Sequence, residues 1–339
     1  MSEPITTWKE TIAEGEEAML EKVAADLGAV QSARDATLGS KNRSLHFKQH
    51  AGLRARLDVE PGLGGAAAQG LFAKAGTYDA YVRFSNGGGR DQHDKEPDLR
   101  GLAIKVLGVE GPKALGDART QDFLFIDVDA LPFRDPREFV SFVQSASSPL
   151  TLPFKLFGRL GFRAFGLIVD VAKMAKGNRG SLLDLAYHTV APHAWGPYAA
   201  RLHLEPLHQP SPHARPQPER DYLRRELAPR VRAGGVAFAL QAQLLTDPSD
   251  SVEDVSKPWN GPSVRVGTLT LLADDLASEH GRDLDAHVRA LSFDPWHALA
   301  AHRPIGLTMR ARKHAYFVST QARSASAEPD GSEWSRFGG

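Results

Sequence analysis

The sequence predicts an α+β fold, an antiparallel β-barrel with helical covers. Three observations predict it. Alternating apolar and polar residues mark strands in the middle of the chain, within residues 45–128 and again within 236–272. Helical spacing of apolar residues marks both ends and one stretch in between, at 153–176. Strands gathered together, with helices before and after them, favour an antiparallel sheet over alternating βα units.

Taken in order, residues 4–27 read as an amphipathic helix, because Ile5, Trp8, Ile12, Met19, Val23 and Leu27 recur at near-helical spacing between acids. Residues 28–42 read as a polar linker, so 1–42 form a helix-and-linker unit. In 45–59, Leu53, Ala55, Leu57 and Val59 alternate with Arg54, Arg56 and Asp58, the period of a half-buried strand. Further strands are predicted at 78–85, closed by Asn86 and three glycines, at 100–109 and at 122–128. Pro136 suits the first turn of a helix over 136–143. The stretch 153–176 is a strongly apolar helix, expected to pack on the barrel, with a lid at a channel or a membrane surface as the sharper reading. Residues 205–220, rich in Pro and His, form an extended connector whose His208 and His213 are loop histidines. Strands at 236–245 and 263–272 pair, a helix runs over 296–323, and 324–339 are a polar tail.

Composition excludes several functions. With 41 basic and 41 acidic side chains the chain lacks the basic face of a general nucleic-acid binder. Without cysteine it has no disulfides, thiolate nucleophiles, iron–sulfur clusters or cysteine zinc sites. The thirteen histidines leave imidazole chemistry open. The acidic, polar start is unlike a signal peptide, and no apolar run is long enough to span a bilayer. A cytoplasmic protein without stable membrane insertion is expected.

Chemistry-bearing residues occur at several points. Arg312 and Tyr316 are four apart on the predicted last helix and so share a face. A guanidinium beside a phenol favours the phenolate, a hard ligand suited to ferric iron. Arg43 precedes His46 by three, just before a strand, and His50 competes with His46 as an acid–base residue. Val82-Arg83-Phe84-Ser85 ends a strand with an arginine and a hydroxyl able to orient an imidazole.

The order of these pieces carries more than any one of them. The chain reads Arg-x-x-His from Arg43, Val-Arg-Phe-Ser from Val82, Asp-x-Arg-Gly-x-Ala-x-Lys from Asp98, Phe-Arg-Asp-Pro-x-x-Phe from Phe133 and Arg-x-x-x-Tyr from Arg312. This series resembles the haem-binding core of the catalase superfamily. Asp294-Pro295-Trp296-His297-Ala298-Leu299, with His302-Arg303-Pro304-Ile305-Gly306 after it, is similar to the segment before the tyrosine in the small catalase-related haem peroxidases.

The resemblance implies a catalase-like barrel over 43–323 that binds haem b. It implies Tyr316 as the iron ligand, held as phenolate by Arg312. His46 would be the distal acid–base residue, oriented by Ser85. Arg43, Arg83 and Arg312 would surround the haem propionates or the ligand, and Phe139 would stack on the haem. The family's distal asparagine has its nearest match in Asp127. With only 23 residues after Tyr316, a more open channel is expected, admitting small organic reductants alongside hydrogen or organic peroxides. The expected activity is therefore that of a peroxidase with weak catalase turnover. Rearrangement of fatty-acid hydroperoxides, as in allene oxide synthases, is one alternative, and a haem carrier or sensor is another. A homo-oligomer is compatible with the family.

Overall fold

The computed structural model, which describes residues 3–146, 150–176, 180–212 and 214–337, forms nine antiparallel strands, six of them at the alternating segments. They are β1 (Gln49–Val59), β2 (Gly76–Asn86), β3 (Arg100–Leu107), β4 (Thr120–Ile126), β5 (Tyr187–His188), β6 (His193–Trp195), β7 (Tyr198–Pro206), β8 (Ala237–Leu244) and β9 (Ser263–Leu271). β1 pairs with both β2 and β9, and β5 bridges β4 to β7 through Ile126–His188 and Tyr187–Leu204. Eight strands thus close into a barrel, with β6 folded back on β7. Closure removes the exposed edges that an open sheet would carry.

The two faces of each strand separate as the period of two requires. Leu53, Ala55 and Leu57 of β1, Val82 and Phe84 of β2, Leu102 and Ile104 of β3 and Phe123 of β4 are all buried in one interior cluster. Phe72 and Trp195 stack inside it at 4.9 Å. Each buried Leu, Val, Ile or Phe side chain among them contributes about 1.5–3 kcal/mol by leaving water.

Eight helices surround the barrel among the described residues: α1 (Glu16–Leu38), α2 (Pro136–Ser145), α3 (Leu152–Leu160), α4 (Arg163–Ala175), α5 (Tyr222–Ala233), α6 (Glu279–Ala290), α7 (Leu307–Arg323) and α8 (Glu333–Phe337). α2 starts as Pro136 suggests, and the Asp135 carboxylate accepts the Arg137 and Glu138 amides at 2.8 and 3.0 Å.

Four sequence expectations need correction. The first helix occupies 16–38, so it runs through the stretch expected to be a linker. Gly28 is no breaker there: a Cβ on it would lie 2.7 Å from Val318 Cγ1, so the glycine lets α1 pack against α7. Residues before Glu16 form an extended arm instead, with the Ile5 amide on the Leu245 carbonyl and Glu10 and Glu16 paired to Arg310. Second, the apolar helix at 153–176 is two helices, broken at Gly161, which takes φ +55°. Third, the last long helix starts at Leu307, because Pro304 and the left-handed Gly306 (φ +86°) hold the preceding residues in a loop. Fourth, the polar tail is docked: Phe337 is buried against Leu284 and Val288 of α6, and Glu328 contacts Lys105 at 2.5 Å. β5 to β7, α5 and α6 were not expected from the sequence. Among the described residues no helix is long and apolar enough to cross a membrane.

Candidate active site

Between the outer face of β2–β4 and the helices α1, α2, α4 and α7 lies a cavity of about 440 Å³. Strand alternation decides which side chains enter it. Val82 and Phe84 point into the barrel, so Arg83 and Ser85 point out into the cavity. The register places Ser85 beside Gly101 and Arg83 beside Ala103 on the neighbouring strand.

His46 lies in the segment leading into β1 and lines the same cavity. Its backbone has φ +52°, which a non-glycine residue rarely adopts, so the surroundings must hold it. They do so from both sides. The His46 amide donates to the Gly87 carbonyl at 3.0 Å, and Arg83 donates to the His46 carbonyl at 2.7 Å. Arg34 of α1 fixes the preceding turn by donating to the Arg43 and Ser44 carbonyls. The imidazole Nδ1 lies 3.1 Å from Ser85 Oγ. Burial, then the charges of Arg83, Arg312 and Arg43, push His46 down to about 3. The ring is therefore neutral near pH 7 and carries a basic nitrogen.

His50, the competing histidine, does not line the cavity. Its Nε2 is 2.7 Å from Asn86 Oδ1, and it is fully buried beside Asp94. Asp127 does not reach the cavity either: its Oδ1 accepts the Arg100 amide at 2.8 Å. The turn after β4 directs this carboxylate to the backbone, and the cavity wall there is Leu124, Phe125 and Ile126.

Four guanidiniums converge on the cavity, Arg43, Arg83, Arg312 and Arg323. Their hydrogen bonds go to neutral partners. Arg43 and Arg323 both donate to the Leu291 carbonyl past the end of α6, and Arg83 donates to Gln49 Oε1. Among the described residues none of the four has a carboxylate within ion-pair distance. Burial, then repulsion from Arg289 and Arg323, lowers Arg83 to about 9, and burial lowers Arg323 to about 10. Such a cluster is costly to keep charged and suits a ligand that brings its own carboxylates.

Tyr316 and Arg312 enter the cavity together from α7. Burial raises the Tyr316 hydroxyl above its ordinary value, and the opposing pull of Arg312, Arg43 and Arg83 does not offset it. Arg312 alone therefore leaves the phenol protonated, and ionisation needs a further positive charge at the oxygen. Phe139 of α2 lines the cavity and meets Phe133 edge-on at 5.2 Å.

Seven of the eight expected site residues thus share one cavity, and Asp127 does not. Gly101 and Arg323 are cavity residues with a part in the site that had no role assigned from sequence. Gly101 sits against the imidazole: a Cβ there would lie 2.6 Å from His46 Cε1 and Nδ1. Its signal was the Arg-Gly pair already present in the motif from Asp98. Arg323, about two turns beyond Tyr316 on α7, carried no sequence signal. Elsewhere, His208 contacts the Ala237 carbonyl and Asp184 as a connector histidine, and His213 lies outside the described residues. Asp122, His297 and Glu328 have metal-ligand spacing, but Lys105 sits among them, 2.8 Å from Asp122 and 2.5 Å from Glu328. That makes them a buried ion network rather than a cation site.

No family model matches the chain. A catalase-related peroxidase of Mycolicibacterium paratuberculosis is 29% identical over 262 residues, covering 73% of this chain and 79% of the relative. Among solved structures, a fungal catalase superposes with a TM-score of 0.65 at 17% identity, over 86% of this chain and 60% of that one. Catalase A of Saccharomyces cerevisiae gives 0.65 at 17% identity, over 89% and 66%. The chain thus spans between about three fifths and two thirds of the solved catalases it matches. The chain thus has the fold of the catalases, a closed eight-stranded barrel with helices that wall a cavity on its outer face, and its sequence is similar to that of a catalase-related peroxidase.

Proposed function

We propose that the chain is a haem peroxidase that reduces hydrogen or organic peroxides with a small organic electron donor. The observation that carries the reading is one cavity joining a neutral, clamped His46 to Tyr316 and to four guanidiniums that have no carboxylate partner among the described residues.

The residues present fit haem b. Apolar walls from Ala103, Leu124, Phe139 and Met174 suit a porphyrin, and the arginines suit its propionates. Tyr316 would ligate the iron, whose charge supplies what Arg312 alone does not, ionisation of the phenol. Bound haem supplies the redox chemistry that splits the peroxide bond.

The chain's own residues handle protons and position. With Nδ1–H of His46 donating to Ser85 Oγ, Nε2 is the basic nitrogen. His46 takes the proton from one peroxide oxygen and returns it to the departing one, as base and then acid. Reduction consumes two electrons and two protons per peroxide and releases water with water or an alcohol. The electrons come from the organic donor. The Arg83 and Gly87 contacts keep His46 in place through the cycle.

The test is the ultraviolet–visible spectrum of haem-loaded protein, wild type and Tyr316→Phe. A Soret band with high-spin ferric features, altered or lost in the variant, is expected. Absence of haem uptake by the wild type overturns the reading. Haem uptake without peroxide-dependent oxidation of any donor would instead favour a carrier.

A further inference from the structure

α3 and α4 carry two apolar faces. One packs inward, where Leu156, Ala164 and Leu167 are buried with Phe133 against α2. The other is open. Leu150, Phe154, Phe157, Phe162, Phe165 and Val169 are 86%, 80%, 42%, 85%, 55% and 50% exposed. These six are half of the twelve exposed large hydrophobics among the described residues, and they fall within twenty consecutive positions. The rings adjoin: Phe157 is 5.7 Å from both Phe162 and Phe165. Contiguous apolar surface of this kind marks an interaction site.

The charges beside the patch select the partner. Between Leu150 and Lys176 there are five cations, Lys155, Arg159, Arg163, Lys173 and Lys176, and one acid, Asp170. Arg163 is turned inward to Glu138, while the four lysine and arginine side chains at 155, 159, 173 and 176 are exposed. Aromatic side chains rimmed by cations match an anionic lipid surface, where the rings enter the acyl boundary and the cations meet the headgroups. A second copy of the chain fits less well, because a symmetric contact would set this cationic rim against itself.

The patch is also continuous with the cavity. α4 shows Phe165 and Val169 to solvent and turns Val171 and Met174 to the cavity. We propose that the α3–α4 hairpin docks the protein on anionic phospholipid surfaces and brings the cavity to hydroperoxides of membrane acyl chains. It lies in the interface without crossing it. The second half of this statement rests on the peroxidase reading, and the first half does not.

Holoprotein is floated with phosphatidylcholine vesicles with and without phosphatidylglycerol, as wild type and as Phe154→Asp/Phe162→Asp. Both residues lie outside the cavity wall. The expected result is binding that requires phosphatidylglycerol and falls about tenfold or more in the variant. In the same preparations, reduction of linoleic acid hydroperoxide held in the anionic vesicles falls in the variant, while reduction of hydrogen peroxide in solution is unchanged. No binding by the wild type, or equal binding by the variant, overturns the docking. So does a wild-type dimer that the variant converts to monomer without any vesicle binding, since a second copy then covers the patch. Vesicle binding without any peroxide turnover leaves the docking standing and removes the peroxidase reading instead.

Discussion

Gly101→Ala is the sharpest test of how the distal side is built. The added Cβ would lie 2.6 Å from His46 Cε1 and Nδ1 and 3.0 Å from Ser85 Oγ, where ordinary contact begins at 3.4 Å. The imidazole must therefore move by about 0.8 Å. It cannot do so by a backbone shift without breaking the Gly87 and Arg83 contacts at 3.0 and 2.7 Å. Overpacking of this size costs about 1–3 kcal/mol of stability, and a catalytic group misplaced by about 1 Å costs on the order of 100-fold in rate. The assay is peroxide-dependent oxidation of an organic donor by haem-loaded wild type, Gly101→Ala, His46→Ala and the double variant, with thermal unfolding as the control for folding. If Gly101 acts through His46, its substitution is costly in the wild type and nearly free in the His46→Ala background. The reasoning fails if Gly101→Ala keeps its rate within about threefold, or loses the same factor in both backgrounds.

Other outcomes follow from the same geometry. His46→Ala should lower the peroxide rate by about 10²–10⁴-fold; His50→Gln should keep the rate and cost about 1 kcal/mol in urea unfolding through its bond to Asn86, and a rate loss at His50 would reverse the assignment. His46 and His193 are pushed down to about 3, and His50 and His302 to about 4, first of all by burial. The unfolded chain binds protons at these sites below about pH 6.5 and the folded one does not, so stability should fall as pH drops from 6.5 towards 3; a flat urea midpoint across that window would refute this. Burial pushes His297 down, yet the carboxylates of Asp122 and Glu328 raise it to about 9, so its contribution is full below pH 6.5 and is lost as pH rises through 9. Lys105→Met would leave the buried Asp122 and Glu328 to share the single cation of His297 and should cost about 3–5 kcal/mol, with the tail around Glu328 opened to limited proteolysis; unchanged stability would deny the ion network a role.

The parts of the fold that were legible were those whose pattern is local. β1 to β4, β8 and β9 alternate over seven to eleven residues, and alternation follows from which face meets the core. β5 and β6 are two and three residues long, too short to show a period, yet β5 closes the barrel. α1 was displaced because Gly28 reads as a helix stop in one dimension. Its reason is Val318, 290 positions away, which only the folded chain brings against it. The acids of the N-terminal arm looked like the wet face of a helix. Two of the acids there, Glu10 and Glu16, are instead partners of Arg310, again a distant residue.

The site divides in the same way. Arg312 with Tyr316 follows from helical spacing, and Arg83 with Ser85 from strand spacing, so both pairs could be read as sharing a face. What each face looks onto could not. That depends on the register that sets Ser85 beside Gly101, and on the positive φ that turns His46 back over that pair. The family resemblance supplied His46 over His50, and the geometry gives the reason: β1 begins only at Gln49, so His50 is committed to the packed strand while His46 sits in the bent entry to it. The same logic explains the failure at Asp127. A carboxylate one residue past the end of β4 finds the Arg100 amide, left without a strand partner at the start of β3, and satisfying that donor outweighs facing an apolar cavity. A residue type can therefore be right for a chemistry and still be claimed by the backbone, and the outcome is decided by which unpaired group lies nearer.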